Sequence, residues 1–332
     1  MPPKRAPVHP FSYTRVSDAN AATARVAGHA GARFIAGGTN LIDLMKDDVE
    51  QPALLVDINA LPYGSIEQTP ASLQIGALAR MSDVADHAAV KSAAPAVSEA
   101  LLLSASAQLR NAASIGGNLM QRTRCAYFRD VANACNKRAP GDGCAALGGV
   151  NRLHAVLGGS SHCICTHASD LAVALVALDA VVRTHGPQGE RRIALADFYR
   201  LPGATPQRET ALAPGELIVR VDVPRANAAV NSHYLKVRDR ASYEFALVSV
   251  AAGLDVAGGI VRDARLALGG VAPIPWRARK AERSLIGSPP SQAAFARAAR
   301  IALDGARGRG ENDFKIALAQ RTVVRALEQV SA

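Results

Sequence analysis

Five cysteines lie within forty-one residues, and the rest of the 332-residue chain contains none. They form the pattern C-x9-C-x8-C-x18-C-x-C at Cys125, Cys135, Cys144, Cys163 and Cys165. Thiols concentrated in one segment of a long chain favour a set of metal or cluster ligands over a disulfide framework. On this chemistry alone tetrahedral zinc is the simplest interpretation, although the spacings are longer than those of zinc fingers and typical of no single metal.

The segment around the cysteines is poor in apolar periodicity and rich in Arg, Lys, Asn and Gly. It cannot build a hydrophobic core of its own, and we expect a metal centre to hold it in shape, because ligand binding can replace missing hydrophobic stabilisation. Its basic side chains could offset the charge of a cluster, although solvated surface charge is the ordinary interpretation for each. They are Arg122, Arg124, Arg129, Lys137 and Arg138. A structural role is the ordinary interpretation for the nearby histidines, which are His154, His162 and His167.

Length and composition exclude several classes of protein. A chain of 332 residues allows two or three domains. The net charge of +10 attracts anions. Aromatic residues make up only 4% and do not interleave with the scattered basic residues, so we expect no nucleic-acid binding. The N-terminal residues carry no apolar run, and the longest apolar stretch, 171–182, is short and contains Asp179. We therefore expect neither an export signal nor a membrane span.

The pattern of apolar residues predicts alternating helices and strands, which is typical of a mixed α/β unit, followed by a separate C-terminal α+β unit. A Pro-, Ala- and Asn-rich boundary lies near 225–232, and we expect residues 187–215 to be rich in loops. The predicted strands cover 33–36, 53–58, 72–79, 215–224, 234–239, 245–256 and 266–273. The predicted helices cover 18–30 with Asp18 as its cap, 41–46, a segment opened by Ser82, 93–110, a segment from 169 that runs into a strand, 291–307 and 313–330.

Two glycine-rich turns carry the chemistry of an anion site. The first glycine turn (37–40, Gly-Gly-Thr-Asn) joins a predicted strand to a predicted helix, and the second glycine turn (113–118) has the same character. Glycine lets the backbone approach a ligand, and amides at a helix N-terminus attract a pyrophosphate. A tight turn without a ligand is the alternative for each. In a third polar cluster at 166–170, Ser169 or Asp170 could simply cap the helix that follows.

The order of these motifs resembles one known family. FIAGGTNLIDLMK, ASIGGNL, THASDLAVALVALDA, GELIVRVDVP and YLKVRDRASYEFALVSVA follow one another along almost the whole chain. They resemble the FAD-binding subunits of the xanthine oxidase, or molybdenum hydroxylase, family. The cysteine segment is closest to that of the flavin subunits of periplasmic aldehyde oxidoreductases, which carry an extra [4Fe–4S] cluster. A related insertion occurs in the flavin subunit of 4-hydroxybenzoyl-CoA reductase, and most flavin subunits of the family lack it.

The resemblance implies an α+β fold in two domains. Residues 1–225 would form an FAD-binding domain of the PCMH, or vanillyl-alcohol-oxidase-like, type, with lobes at about 1–60 and 61–225. This domain would carry the cysteine segment, at about 119–168, as an insertion. Residues 230–332 would form an α+β domain of the CO dehydrogenase flavoprotein type.

The resemblance also implies the cofactor sites. Backbone groups of the first turn would bind the FAD pyrophosphate, a carboxylate would bind cofactor hydroxyls, and apolar groups would lie against a ring. The implied FAD residues are Ile35, Ala36, Gly37, Gly38, Thr39, Asn40, Leu41, Ile42, Ser114, Gly117, Asn118, Asp170, Leu217, Ile218 and Lys236. The implied [4Fe–4S] ligands are Cys125, Cys135, Cys144 and Cys163, with Cys165 as the alternative fourth ligand. No acid–base pair is required in this chain.

The implied function is electron transfer within a larger enzyme. A molybdenum-cofactor large subunit would oxidise an aldehyde, and [2Fe–2S] clusters of a small subunit would pass electrons to FAD in this chain and on to an external acceptor. Such a complex could be cytoplasmic, or periplasmic through export with a signal-bearing partner. Two alternatives stay open: the flavin subunit of a CoA-thioester reductase, and a zinc-stabilised scaffold module without redox activity.

Overall fold

Three sheets organise the chain, and helices cover each of them. The computed structural model describes residues 8–331. The strands are β1 (Ser12–Arg15), β2 (Ala32–Ile35), β3 (Leu54–Asp57), β4 (Ile66–Gln68), β5 (Ser72–Gly76), β6 (Val181–Gly186), β7 (Gly189–Ala194), β8 (Leu217–Pro224), β9 (Ser232–Val237), β10 (Val248–Ala257), β11 (Ile260–Gly269) and β12 (Trp276–Arg277). The helices are α1 (Ala19–Gly28), α2 (Leu41–Lys46), α3 (Met81–Asp86), α4 (Ala88–Ala93), α5 (Pro95–Leu102), α6 (Ala107–Ala112), α7 (Ile115–Leu119), α8 (Ala126–Arg129), α9 (Asp170–Ala177), α10 (Leu195–Phe198), α11 (Asn227–Val230), α12 (Arg279–Leu285), α13 (Gln292–Ala302) and α14 (Phe314–Ser331).

The first sheet is parallel, with the strand order β1-β3-β2. Helix α1 connects β1 to β2, and the Asp18 carboxylate caps it by accepting from the Ala21 amide at 2.8 Å, as predicted. The central strand β3 buries Val56 completely. Because β2 ends at Ile35 and α2 begins at Leu41, this sheet positions the first glycine turn.

The second sheet is antiparallel, with the order β4-β5-β8-β6-β7, and it contributes to the largest apolar core. Helix α9 is buried along its whole length. A helix that is apolar on every side must lie inside the protein, and α9 packs between α5 and the strands β10 and β11 of the third sheet. Its burial is that of a core helix, and no helix within residues 8–331 has the length and apolar character to cross a bilayer.

The third sheet is antiparallel, with the order β12-β11-β10-β9, and it packs with α12, α13 and α14 around a second core. Val156 and Leu157 from the end of the cysteine segment join this core. Their amides donate to the Val271 carbonyl at 2.9 and 3.0 Å. The C-terminal part of the chain therefore anchors the end of the cysteine segment.

The cysteine segment has little regular structure, namely α8 and one 3-10 turn at Ala145–Leu147. Contacts within the segment and from the C-terminal part of the chain nevertheless hold it. Arg138 donates to the carbonyls of Tyr127 and Phe128 at 2.9 and 2.8 Å, and the fully buried Lys315 donates to the His154 carbonyl at 3.0 Å. The expectation that a metal centre holds this segment therefore omitted a second source of order, because hydrogen bonds to buried carbonyls also order loops.

Two local expectations were wrong, and a third missed one strand and one helix. The predicted helix over 93–110 is broken, because Ala105 takes a left-handed backbone with φ of 51° and Ser106 starts the new helix α6 as its cap. Ser82 does not open α3, whose N-cap is Arg80. Residues 187–215 contain the strand β7 and the helix α10, since β7 pairs with β6 through contacts that apolar periodicity alone does not reveal.

One carboxylate connects the two cores. Asp179, just after α9, pairs with Arg265, with Arg277 at 3.0 Å and with Arg279 at 2.9 Å, and all three arginines belong to the C-terminal part of the chain. Its φ of 54° is a conformation that Asn also adopts. We expect Asp179→Asn to lower the free energy of unfolding by about 1.5–3 kcal/mol, the usual value for hydrogen bonds to charged groups, as measured by urea denaturation.

The control is Asp86→Asn, which breaks an exposed pair with Lys91. Its effect should stay within about 0.5 kcal/mol, because exposed pairs contribute little. Equal stability of the two variants would show that the Asp179 cluster does not connect the two parts of the fold.

Candidate functional site

The two glycine turns lie against each other and form one wall of a cleft. A Cβ on Gly37 would overlap the carbonyl of Ala112 and crowd Ala113, so only glycine allows this approach. Residues of both turns line the same cavity of about 280 Å³, here called the first cleft. The sequence predicted both turns, and the structure brings them together.

The first turn offers free donors to this cleft. Within the described residues, no backbone carbonyl accepts from the amides of Gly38, Thr39 or Asn40, and the buried Nδ2 of Asn40 has no partner. Buried donors normally find an acceptor, so a ligand with acceptor oxygens fits here. Gly38 has a φ of 71°, which glycine adopts without strain.

Apolar side chains also line the first cleft. Leu217 and Ile218 begin the strand β8 and line the cleft together with Leu78 and Phe34. The cleft thus combines unpaired amides with an apolar surface, which is the usual make-up of a cofactor pocket. This arrangement suits a dinucleotide that carries both a pyrophosphate and aromatic rings.

A second cleft of about 320 Å³ shares Thr39, Asn40 and Gly117 with the first. The carboxylate of Asp170 lies in its wall and accepts from the Tyr234 hydroxyl at 2.6 Å and the Lys236 ammonium at 2.8 Å. Burial raises the pKa of Asp170, although Lys236 and Tyr234 act in the opposite direction. This cluster joins α9 to β9 and places charged groups at the edge of the cleft.

Asn118 and Ser169 link the second glycine turn to the third polar cluster. The Ser169 hydroxyl donates to Asn118 Oδ1 at 2.5 Å and accepts from the Ala172 amide at 2.9 Å. Ser169 is therefore the cap of α9, and Asp170 is free to face the cleft. Ser114 caps α7 by accepting from the Gly117 amide at 3.2 Å.

Fourteen of the fifteen predicted FAD residues line one of the two clefts. The exception is Ile42, which is 40% exposed and packs near Gly38. Several further lining residues were not predicted, among them Arg33, Glu50, Arg122, Arg240, Tyr243 and Phe245. Tyr243 and Phe245 stand in the RDRASYEFA motif that carried part of the resemblance, so that motif could have indicated them.

All five cysteines line a single small cavity, here called the cysteine cavity. Cys135 and Cys144 lie opposite each other in an isolated bridge, and Cys125 Sγ is 3.2 Å from His154 Nε2. All five are free thiols. No group of three or more His, Cys, Asp or Glu side chains within residues 8–331 has the spacing to hold a single metal ion.

The surroundings of the cysteine cavity shift the pKa of three of its thiols, and not all in the same direction. Burial raises the pKa of Cys125 to about 12, and a hydrogen bond with Cys165, together with burial, raises that of Cys163. Lys137 lines the cavity with its side chain 7% exposed and provides positive charge beside the sulfurs. The hydrogen bond with Cys163, together with the charge of Lys137, instead lowers the pKa of Cys165 to about 7. Buried thiols beside an ammonium suit ligands whose charge a metal centre would balance.

The three histidines near this site differ in their surroundings. Burial lowers the pKa of His167 to about 4, so its ring is neutral at physiological pH. That ring packs against Tyr199 with 4.4 Å between ring centroids and accepts from the Ser169 amide through Nδ1. Burial also lowers the pKa of His154, and His162 is exposed.

A polar cavity of about 290 Å³ lies between the first cleft and the cysteine cavity. It shares Glu50 and Arg122 with the first cleft, and Lys137 and Cys165 with the cysteine cavity. Charged side chains connect its two ends. Arg122 pairs with Glu50 at 2.6 Å and with Glu209 at 2.9 Å, and the other oxygen of Glu209 accepts from Lys137 at 2.6 Å.

These contacts correct the expectation of solvated charge for four of the five basic residues of the cysteine segment. Arg122, Arg124, Arg129 and Lys137 pair with carboxylates, and Arg138 donates to backbone carbonyls. Burial raises the pKa of Glu209, but the neighbouring Lys137 and Arg122 outweigh that effect and lower the pKa below its ordinary value. Because Glu209 is distant in sequence, no local pattern indicated it.

Comparison with known proteins agrees with this architecture. The model of the family described as "FAD binding domain in molybdopterin dehydrogenase" matches residues 9–226, and the model described as "CO dehydrogenase flavoprotein C-terminal domain" matches residues 233–330. The chain is 50% identical to the aldehyde oxidoreductase FAD-binding subunit PaoB of Escherichia coli, over 97% of this chain and 98% of that protein. It is 29% identical to the glyceraldehyde dehydrogenase medium chain of Sulfolobus acidocaldarius, over 83% of this chain and 81% of that protein.

The fold also matches a solved structure. A chain of the reconstituted CO dehydrogenase from Oligotropha carboxidovorans superposes with a TM-score of 0.77 at 24% identity, over 98% of this chain and 99% of that one. This likeness and the two domain matches confirm the predicted α+β fold class. The chain belongs to the family of FAD-binding subunits of molybdenum hydroxylases, which are oxidoreductases.

Proposed function

We propose that the two clefts hold one FAD molecule across the two glycine turns. The amides of Gly38, Thr39 and Asn40 would bind the pyrophosphate, and Leu217 and Ile218 would lie against a ring. Asp170 and Lys236 would meet polar groups of the cofactor in the second cleft, through the hydrogen-bonding positions that remain on each. The observation that carries this proposal is the set of unpaired donors at the first turn beside an apolar wall.

We propose that Cys125, Cys135, Cys144 and Cys163 ligate a [4Fe–4S] cluster. The support is the chemistry of the donor set: five thiols line one cavity, beside a buried ammonium. Iron–sulfur clusters are held by thiolates, and four are needed. Tetrahedral zinc would use the same sulfurs, so metal analysis distinguishes the two.

The proposed function is that of an electron-transfer subunit in a molybdenum-dependent aldehyde oxidoreductase. FAD, when bound, supplies a redox centre that exchanges electrons with [2Fe–2S] clusters of a partner subunit and with an external acceptor. The chain itself positions the flavin and provides the charges around it. Identity of 50% to an aldehyde oxidoreductase subunit favours this function over that of a CoA-thioester reductase subunit.

The proposed partners are a molybdenum-cofactor large subunit and a [2Fe–2S] small subunit. The net charge of +10 suits docking onto more acidic subunits. The compartment follows the assembled complex, which would reach the periplasm folded when a partner carries the export signal and would otherwise stay in the cytoplasm.

The test of the function is purification of the chain with its partners, followed by quantification of flavin, iron, zinc and molybdenum. The proposal expects one FAD per chain, iron in excess of that in the [2Fe–2S] subunit, and oxidation of aldehydes. A complex without flavin would refute the FAD site, and zinc in place of the additional iron would refute the cluster.

Gly37 provides a direct test of the FAD site. In Gly37→Ala the new Cβ would push the first turn away from Ala112 and widen the cleft. Overpacking costs about 1–3 kcal/mol, so we expect FAD affinity to fall by roughly 5- to 150-fold, measured by quenching of flavin fluorescence.

The matched control is Gly64→Ala, where a Cβ meets nothing within 4 Å. It should bind FAD as the wild type does. Wild-type affinity in Gly37→Ala would place the cofactor away from the contact between the turns.

The identity of the fourth cluster ligand is tested by two serine variants. We expect Cys163→Ser to lose the cluster and Cys165→Ser to keep it, because only four thiolates are needed and the resemblance assigns Cys163. Iron and sulfide content, with the electron paramagnetic resonance signal of the reduced cluster, gives the measurement. The reverse pattern would make Cys165 the ligand.

The role of the cluster is tested by Cys135→Ser. We infer that the cluster braces the cysteine segment, so the variant should have a lower thermal midpoint and less bound FAD, with normal turnover per remaining flavin. If the variant instead folds, keeps its FAD and loses turnover, the cluster is a relay for electrons and the bracing hypothesis is wrong.

A further inference from the structure

Helix α2 lies between the two proposed cofactor sites. Its N-cap, Asn40, belongs to the first glycine turn. Its buried residue Leu44 packs with Phe128 and Cys135 in a small apolar cluster that also contacts Cys125. A helix of six residues is too short to be stable alone, so these contacts determine where it sits.

Ion pairs strengthen the contact between α2 and the cysteine segment. Asp43 accepts from Arg124 at 3.0 Å and from Arg129 at 2.8 Å. Arg129 also pairs with Asp47, directly after the helix. The side chain of Arg129 is only 18% exposed, so solvent screens these pairs less than it screens surface pairs. Arg129, the last residue of α8, therefore attaches the cysteine segment to Asp43 in α2 and to Asp47 directly after it.

Arg122 makes a second connection. Its backbone amide donates to Asn40 Oδ1 at 3.2 Å. Its guanidinium lies 4.5 Å from the centre of the Phe128 ring, and it pairs with Glu50 of the first cleft. One residue thus contacts the first glycine turn, the wall of the first cleft and the apolar cluster beside the cysteines.

We propose that Arg122 and Arg129 are positioning residues that couple occupation of the cysteine site to FAD affinity, an inference that rests on the proposed FAD and cluster sites. Ligation fixes Cys125 and Cys135, which form part of the surface against which Leu44 and Phe128 pack. The two arginines transmit that order to α2 and to Asn40. Coupling between two sites is reciprocal, so bound FAD also favours the ligated cysteine segment.

The test compares FAD dissociation constants of the purified full-length chain with its cluster intact and after removal of iron with a chelator. For the wild type, we expect FAD to bind about 5- to 150-fold more weakly without the cluster, the usual range of coupling between sites. In Arg129→Met with full iron content, the ratio of the FAD dissociation constants without and with the cluster should fall towards one. Arg129→Lys keeps the positive charge and should restore part of the coupling.

Lys91→Met is the matched control, because it removes an exposed cation whose pair with Asp86 lies on α3 and α4. It should leave the ratio unchanged. If the wild-type chain binds FAD equally well with and without the cluster, the coupling is overturned, and this measurement needs no variant. The coupling through Arg129 is also overturned if Arg129→Met shows the same ratio of FAD dissociation constants as the wild type. A chain that binds no FAD, or no iron, refutes the proposed function instead, so the two failures are distinguishable.

Discussion

The contact between the two glycine turns is the constraint on which the cofactor site depends. The turns are more than seventy residues apart in sequence, yet Gly37 lies on the backbone of Ala112 and Ala113 with no room for a side chain. This approach turns two short loops into one continuous wall with unpaired amides. The parallel sheet holds one turn and the large core holds the other, so the fold itself brings their backbones together.

Charge pairing organises the region that apolar packing does not. The cysteine segment has few buried apolar residues, but its arginines and Lys137 find carboxylates on α2 and at Glu50 and Glu209. Breaking a buried pair leaves an uncompensated charge, which is costly, so such pairs specify one arrangement even where they add little net stability. The positions of the first cleft and the cysteine cavity relative to each other thus depend on ion pairs between residues that are distant in sequence.

Local sequence patterns predicted the elements that bear the site, and long-range contacts account for what they missed. The helix start predicted at 41–46 is confirmed by α2, and the cap of α1 at Asp18 was also predicted. The break at Ala105 depends on tertiary packing and a competing cap at Ser106. Glu209 lies 87 residues from Arg122 along the chain, and a single sequence gives no signal for such a pair.

The arrangement around Ile164 explains why the sequence left two candidates for the fourth ligand. Cys163 and Cys165 both line the cysteine cavity, whereas the buried Ile164 between them does not, which is the alternation of an extended segment. Residues spaced by two therefore present equivalent thiols to one site. They differ in their other surroundings, since Cys165 also borders the polar cavity that leads to the first cleft and Cys163 does not.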